Sequence, residues 1–327
     1  MKKILLWLCC ILLVLSVSGC GENTSTSDPS TSEDAATARR TLGMGAVSTN
    51  TMHGTDRTRV KTTVAAVVLD TKGRILECVI EEIDFMVTLT DGIAKDAPDL
   101  TGKGERGDGY QPTTEDVGVD GDTATPWHKQ VEEFCDFVEG KTGAEVSAIA
   151  TTDGKSAQIQ GCDLILTDFI LAVRKAADRA SAHRIGAGDD LQLAVTAAQS
   201  ETATEQKPQY DVEMAAVTLD SGDRITGCVT DSLQVKLSVA DRAFTTVSGG
   251  MDTKRDMGDG YGMKAASPIR REWYEQADAF AVYALGKTAV ELARLPLDED
   301  GKTDAVAGCT IDLHRMLRNT VKAATDD

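Results

Sequence analysis

The sequence predicts an α+β fold made of two copies of one unit, each an antiparallel sheet with packed helices. Three observations predict it. Self-similarity is the first: Ala65-Ala66-Val67-Val68-Leu69-Asp70 returns as Ala215-Ala216-Val217-Thr218-Leu219-Asp220, and Gly107-Asp108-Gly109-Tyr110 as Gly258-Asp259-Gly260-Tyr261. Gly140-Lys141-Thr142-Gly143-Ala144-Glu145 likewise returns as Gly286-Lys287-Thr288-Ala289-Val290-Glu291, all in one order. The second is that each copy opens with apolar, β-branched runs around a short polar turn, as in Val64 to Leu69, then Asp70 to Gly73, then Arg74 to Ile80, which is a hairpin pattern. The third is that helix signals follow the strands, and strands followed by helices favour α+β.

Taken in order, a third strand is expected near Phe85 to Leu89 and near Val235 to Val239, before a Gly/Asp-rich loop. Thr125-Pro126 and Ser267-Pro268 read as helix starts and Gly140 and Gly286 as stops, with Trp127 and Trp273 in the early turns. Thr142 with Glu145, and Thr288 with Glu291, match the capping box of a short helix. Last helices are expected near 167–180 and 313–324, and residues 190–195 alternate like a strand closing the first copy. Gly140-Lys141-Thr142 and Gly286-Lys287-Thr288 are not phosphate-binding P-loops. Cys135 and Ala281 stand where a P-loop needs its other glycine, and a helix, not a strand, precedes them.

The first residues read as a processing signal. Lys2 and Lys3 precede an apolar run of about 14 residues, short of the ~20 that span a bilayer. The run ends in Val17-Ser18-Gly19-Cys20, which resembles the lipobox of bacterial lipoproteins, in which cleavage leaves a lipidated cysteine, here Cys20. The expected organisation is a signal peptide over 1–19 and a lipidated Cys20 with a flexible Ser/Thr-rich tether over 20–57. A first repeat over 58–197, a polar linker over 198–209 and a second repeat over 210–327 follow. The expected location is the extracytoplasmic face of the cell membrane, through the lipid anchor.

Composition narrows the function classes. The 327 residues hold 34 Lys+Arg against 52 Asp+Glu, a formal charge of −18, so the basic footprint of a nucleic-acid binder is missing. Removing the signal takes two lysines and no acid, which brings the charge to −20. Four scattered histidines do not make a histidine-rich metal centre, and no metal is expected. Of the eight cysteines, Cys78 and Cys228 recur on the second strand and Cys162 and Cys309 recur before the last helix. In an exported chain this suggests bridges Cys78 to Cys162 and Cys228 to Cys309, the alternative being small buried hydrophobes. Cys135, opposite Ala281, is left unpaired.

Asp304-Ala305-Val306-Ala307-Gly308-Cys309-Thr310 resembles the D-x-x-S-G-A-T signature of FMN-binding domains, an extracytoplasmic family in which a flavin transferase esterifies FMN phosphate to the final Thr or Ser. The resemblance implies two FMN-binding-like domains, with Thr310 as the acceptor, Asp304 and Gly308 as motif residues, and Lys264 beside the Gly-rich loop. Ala307 and Cys309 depart from the usual Ser and Ala, and the first copy has Asp163 at the acceptor position, so at most the second copy is flavinylated. The layout also looks like surface lipoproteins of Gram-positive anaerobes. The implied function is a membrane-anchored flavin-binding electron carrier with redox partners, more an electron-transfer or binding protein than a catalyst. The alternative is a non-redox lipoprotein that binds a small ligand, peptide or cell-wall component on the same scaffold.

Overall fold

The computed structural model describes residues 40–94, 100–183, 185–200, 203–245 and 249–325. The signal segment, Cys20 and the first part of the tether lie outside the described residues. No helix among the described residues is long and apolar enough to cross a membrane.

The chain begins with three long strands, β1 (Thr41–Met52), β2 (Arg57–Leu69) and β3 (Ile75–Thr90), and the short β4 (Ile93–Ala94). Helices α1 (Thr114–Val117), α2 (Trp127–Val138), α3 (Gly143–Ser147) and α4 (Thr167–Asp178) follow, then β5 (Ser181–Ala182). The order then restarts with β6 (Asp190–Gln199), β7 (Gln209–Leu219) and β8 (Ile225–Lys236), and the short β9 (Val239–Ala240), β10 (Ala243–Phe244) and β11 (Gly249–Met251). Helices α5 (Lys254–Met257), α6 (Trp273–Ala284), α7 (Ala289–Leu292) and α8 (His314–Ala323) complete it. The fold is α+β with antiparallel sheets, in the order β11-β1-β2-β3-β4 and β6-β7-β8.

Four expectations are corrected. Residues 41–52, assigned from sequence to the tether, form β1, because Leu42, Met44 and Ala46 alternate inward and are at most 5% exposed. The run 190–195 does not close the first half. It opens the second, since β6 pairs with β7 from Asp190↔Leu219 to Gln199↔Tyr210, as β1 pairs with β2 from Thr41↔Leu69. Within the 198–209 span expected as an inter-domain linker, Ala198 and Gln199 end β6 and Gln209 begins β7, its antiparallel partner, so the span joins two strands of one sheet. Phe85 to Leu89 is the far end of the continuous β3 and not a separate strand.

Three apolar clusters stack the chain in four layers. One cluster lies between the sheets and joins Val64, Ile83 and Phe85 of the first half to Val212, Met214 and Leu233 of the second. The others pack α2 and α4 on the outer face of the first sheet and α6 and α8 on that of the second.

The Gly-Lys-Thr elements dock each helix pair to its hairpin. Gly140 N–H donates to Ile75 O at 2.8 Å and Ile75 N–H to Lys141 O at 2.8 Å, and Gly286, Ile225 and Lys287 repeat this at 2.7 and 2.9 Å. Gly140 and Gly286 hold φ of +76° and +75°, the left-handed stop expected for them. Both capping boxes form. The start expected at Ser267-Pro268 moves: α6 begins at Trp273 behind the N-cap Glu272, whose backbone N–H donates to Glu275 Oε2 at 2.8 Å.

Candidate ligand-binding site

The loop carrying Asp304, Gly308 and Thr310 is pinned to the outer core of the second sheet by Val306, Cys309 and Leu313, each at most 5% exposed. Gln276 of α6, fully buried, reaches this loop. Its Oε1 accepts the Thr310 backbone N–H at 2.8 Å and the Thr310 hydroxyl at 3.0 Å, while its Nε2 donates to Arg271 O at 3.2 Å and Ser267 Oγ at 3.3 Å. Gln130 does the same in the first half, accepting the Asp163 N–H at 2.8 Å and donating to Asp122 O and Thr125 O. Asp163 and Thr310 thus occupy the same place.

Thr310 borders two cavities. One, about 620 Å³, also contains Asp304 and Cys309. The other, about 340 Å³, is walled by Tyr261, Met263, Trp273 and Gln276, with Lys254 beside it. Gly308 has φ +84°, the left-handed region that favours glycine, and the Arg271 guanidinium lies over it, with Nη1 2.3 Å from where a Cβ would stand. Lys264 is not brought to Thr310: it is exposed, lines neither cavity and is held through its backbone N–H by Glu272 at 3.0 Å.

The residue that sequence reasoning missed is Lys254. It stands four positions before Gly258-Asp259-Gly260-Tyr261, as Lys103 stands four before Gly107-Asp108-Gly109-Tyr110, and that repetition was a visible signal. Both ammonium groups lie over the motif tyrosine, at 5.3 Å for Lys103 over Tyr110 and 5.7 Å for Lys254 over Tyr261. Their surroundings then diverge. Lys103 is 1% exposed, and its Nζ meets Glu82 Oε1 and Asp116 Oδ1 at 2.5 Å and Asp84 Oδ2 at 3.2 Å. Burial opposes its charge, but those three carboxylates outweigh it and hold the ammonium above its ordinary range. The three acids form a cluster of the kind that can hold a metal ion, and the lysine supplies the cation.

In the second half, Ser232 and Gln234 replace Glu82 and Asp84. The hydroxyl–carboxylate pair across the strands is transposed: Thr63 donates to Glu82 at 2.6 Å, whereas Ser232 donates to Glu213 at 2.9 Å. Lys254 consequently makes no ion pair among the described residues. It lies 4.9 Å from the Trp273 ring centroid and lines both the 340 Å³ cavity and a neighbouring one of about 880 Å³. Burial lowers its pKa, and burial pushes that of nearby Glu213 up to about 7. The arrangement offers a partly desolvated ammonium, an indole face and a hydroxyl at one opening.

A larger cavity of about 950 Å³ lies where the halves meet, but its charged groups are already matched. Arg179 pairs with Asp256, Arg255 with Asp278 at 2.7 Å, and the Tyr274 hydroxyl with Asp259 at 3.0 Å. The five described cysteines are free thiols, so neither expected bridge is present. The sulfur beside Cys78 is that of Cys135, at 3.5 Å, and not that of Cys162.

A comparison with protein-family models finds no match, and comparisons with curated proteins and with solved structures find no significant one.

Proposed function

We propose that the chain is a lipid-anchored extracytoplasmic binding protein whose second half holds a planar, anionic ligand at Lys254, Trp273 and Thr310. The observation that carries this reading is the contrast between the two lysines: Lys103 is neutralised internally, whereas Lys254 makes no ion pair among the described residues and faces a cavity whose lining holds one carboxylate, that of Asp312. A ligand anion would take the place that Glu82 and Asp116 fill in the first half, and a flat ring would lie on the indole.

FMN esterified to Thr310 is the occupant implied by the sequence resemblance, and the residues are compatible with it. An ester at Thr310 Oγ1 removes the hydroxyl hydrogen, yet Gln276 Oε1 keeps the Thr310 backbone N–H at 2.8 Å, so the loop stays anchored. Lys254 would pair with the phosphate and Trp273 would flank the ring, while bound flavin would supply reversible electron transfer. The Gln130–Asp163 link in a half with no acceptor hydroxyl favours a second reading. In it the glutamine is a structural clamp and the ligand is held without a covalent bond.

The test is to co-express the chain with a flavin transferase and denature it. Flavin fluorescence that stays with the polypeptide and disappears in Thr310→Ala supports the covalent carrier. A dark polypeptide whose native form still binds added FMN, with at least tenfold loss in Lys254→Met, supports the noncovalent reading. Unchanged FMN affinity in Lys254→Met overturns the site.

A further inference from the structure

Two of the five described cysteines form a contact that the second half lacks. Cys78 lies on β3 and keeps partial solvent access, and Cys135 lies on the buried face of α2, which packs directly on β3. The Cys135 thiol donates toward Cys78 Sγ across 3.5 Å. Both sulfurs are carried by regular elements, so contracting this contact to a bond of about 2.05 Å calls for side-chain rotation, not rearrangement of loops. The other three cysteines are buried, at 4, 2 and 5% exposed for Cys162, Cys228 and Cys309, and burial pushes the first two thiols up to about 11 and 12. At the equivalent place in the second half, Cys228 faces Ala281, and both line the cavity between the halves.

We propose that Cys78 and Cys135 are a disulfide-forming pair, oxidised by exchange with a disulfide-bearing carrier, either a thiol–disulfide oxidoreductase or a small-molecule disulfide. Cys78 is the sulfur a carrier can reach. Its thiolate attacks one carrier sulfur, breaks the carrier's S–S bond and releases the other carrier sulfur as a thiolate. Cys135, having given its proton to water, then attacks Cys78 Sγ and expels the second carrier thiolate. One S–S bond is exchanged for another, two electrons pass from the cysteine pair to the carrier, and the two thiol protons end, by way of water, on the two carrier sulfurs. The product ties α2, which carries Trp127 and the Gln130 clamp, to β3 across a 57-residue separation. The bond is confined to the half whose lysine site is closed, so oxidation stiffens the scaffold and leaves the Lys254 cavity open.

The experiment treats the purified full chain with glutathione disulfide or with a reducing dithiol, quenches with acid, alkylates under denaturing conditions and maps the peptides. The expected result is a cross-linked peptide containing Cys78 and Cys135 in the oxidised sample alone. It should be absent from Cys78→Ser and Cys135→Ala and retained in Cys162→Ser. Cys135→Ala copies the residue that the second half carries at 281, which keeps the fold, and oxidation should raise the thermal midpoint of the parent chain by several degrees but not that of this variant. Alkylation of both cysteines after oxidation, or a Cys78–Cys162 peptide from the folded chain, overturns the proposal. Neither result depends on flavin or on membrane attachment.

Discussion

At the scale of single residues, the molecule shows one lysine in two settings. In the first half Lys103 is the only cation touching Glu82 and Asp116 among the described residues, and Arg59 shares Asp84 with it. Burial opposes ionisation of Asp84 and Asp116, but the Arg59 hydrogen bond and the Lys103 charge outweigh it and keep both carboxyls below their ordinary range. Removing one member of a buried ionic cluster leaves the rest uncompensated, so Lys103→Met should lose about 3–5 kcal/mol of stability in urea titrations at pH 7. The pH dependence should also change sign. With folded pKa values lowered, the parent holds this stability above the ordinary carboxylate value of about 4 and loses it as the pH falls through the folded values. In Lys103→Met the three acids face one another without the ammonium, the folded pKa values of Asp84 and Asp116 rise, and stability should grow as the pH falls from 7 toward 4. A variant that still loses stability over that interval would show that Lys103 does not hold the cluster together. The lysine was legible as a repeated Lys-x-x-x-Gly-Asp-Gly-Tyr, but its carboxylates lie 13 and 21 residues away on other elements, and no local pattern announces them.

At the scale of elements, legibility followed local chemistry. The capping boxes and glycine stops were readable because each is complete within a few residues. Strand β1 was not, because Thr41 to Asn50 is rich in Gly, Ser and Thr and its meaning lies in packing. Gly43 and Gly45 admit α4, such that a Cβ on Gly43 would stand 1.9 Å from Ala176 O, and one on Gly45 2.5 Å from Ala172 O and Ala176 N. Ser48 and Asn50 are buried, Ser48 pairing with Thr62 at 2.8 Å and Asn50 Oδ1 accepting from the Thr58 hydroxyl at 2.6 Å, so cross-strand side-chain bonds cover most of the polar cost and leave the Asn50 amide nitrogen as the stranded donor. The atoms opposite Gly45 belong to helix backbone and cannot rotate away, so Gly45→Ala should cost about 1–3 kcal/mol or more by lifting α4 from the sheet. Gly109→Ala, where a Cβ meets nothing within 4 Å, should stay within about 0.5 kcal/mol. Thermal melts of the two variants check this, and equal midpoints would overturn the close-packing argument. The acceptor motif was readable only as a resemblance, since the Gln276 clamp on Thr310 spans 34 residues.

At the scale of the whole molecule, the two halves share structure that independent domains on a linker would not. The ring of Phe85 in β3 lies 5.1 Å from that of Tyr210 in β7, within the apolar cluster common to both sheets. Strand β11, from the second half in sequence, pairs with β1 at Ser48↔Met251, and Asp256 is held by Lys175 at 3.0 Å and by Arg179. Exposing either sheet alone would uncover the inter-sheet cluster, at roughly 25 cal/mol for each Å² of apolar surface, so the halves should unfold together. Trp127 lies in the outer cluster of the first half and Trp273 in that of the second, which gives each half its own reporter. In a Trp7→Phe background, Trp273→Phe and Trp127→Phe should therefore give fluorescence transitions in urea that coincide with each other when each is referred to the same variant's far-ultraviolet circular dichroism. Tyr210→Ala, which empties the shared layer at a fully buried position, should lower both midpoints together by an amount matching about 3–5 kcal/mol. Two separated transitions, or a Tyr210→Ala effect confined to the Trp273 reporter, would mean that the sheets meet without sharing a cooperative core.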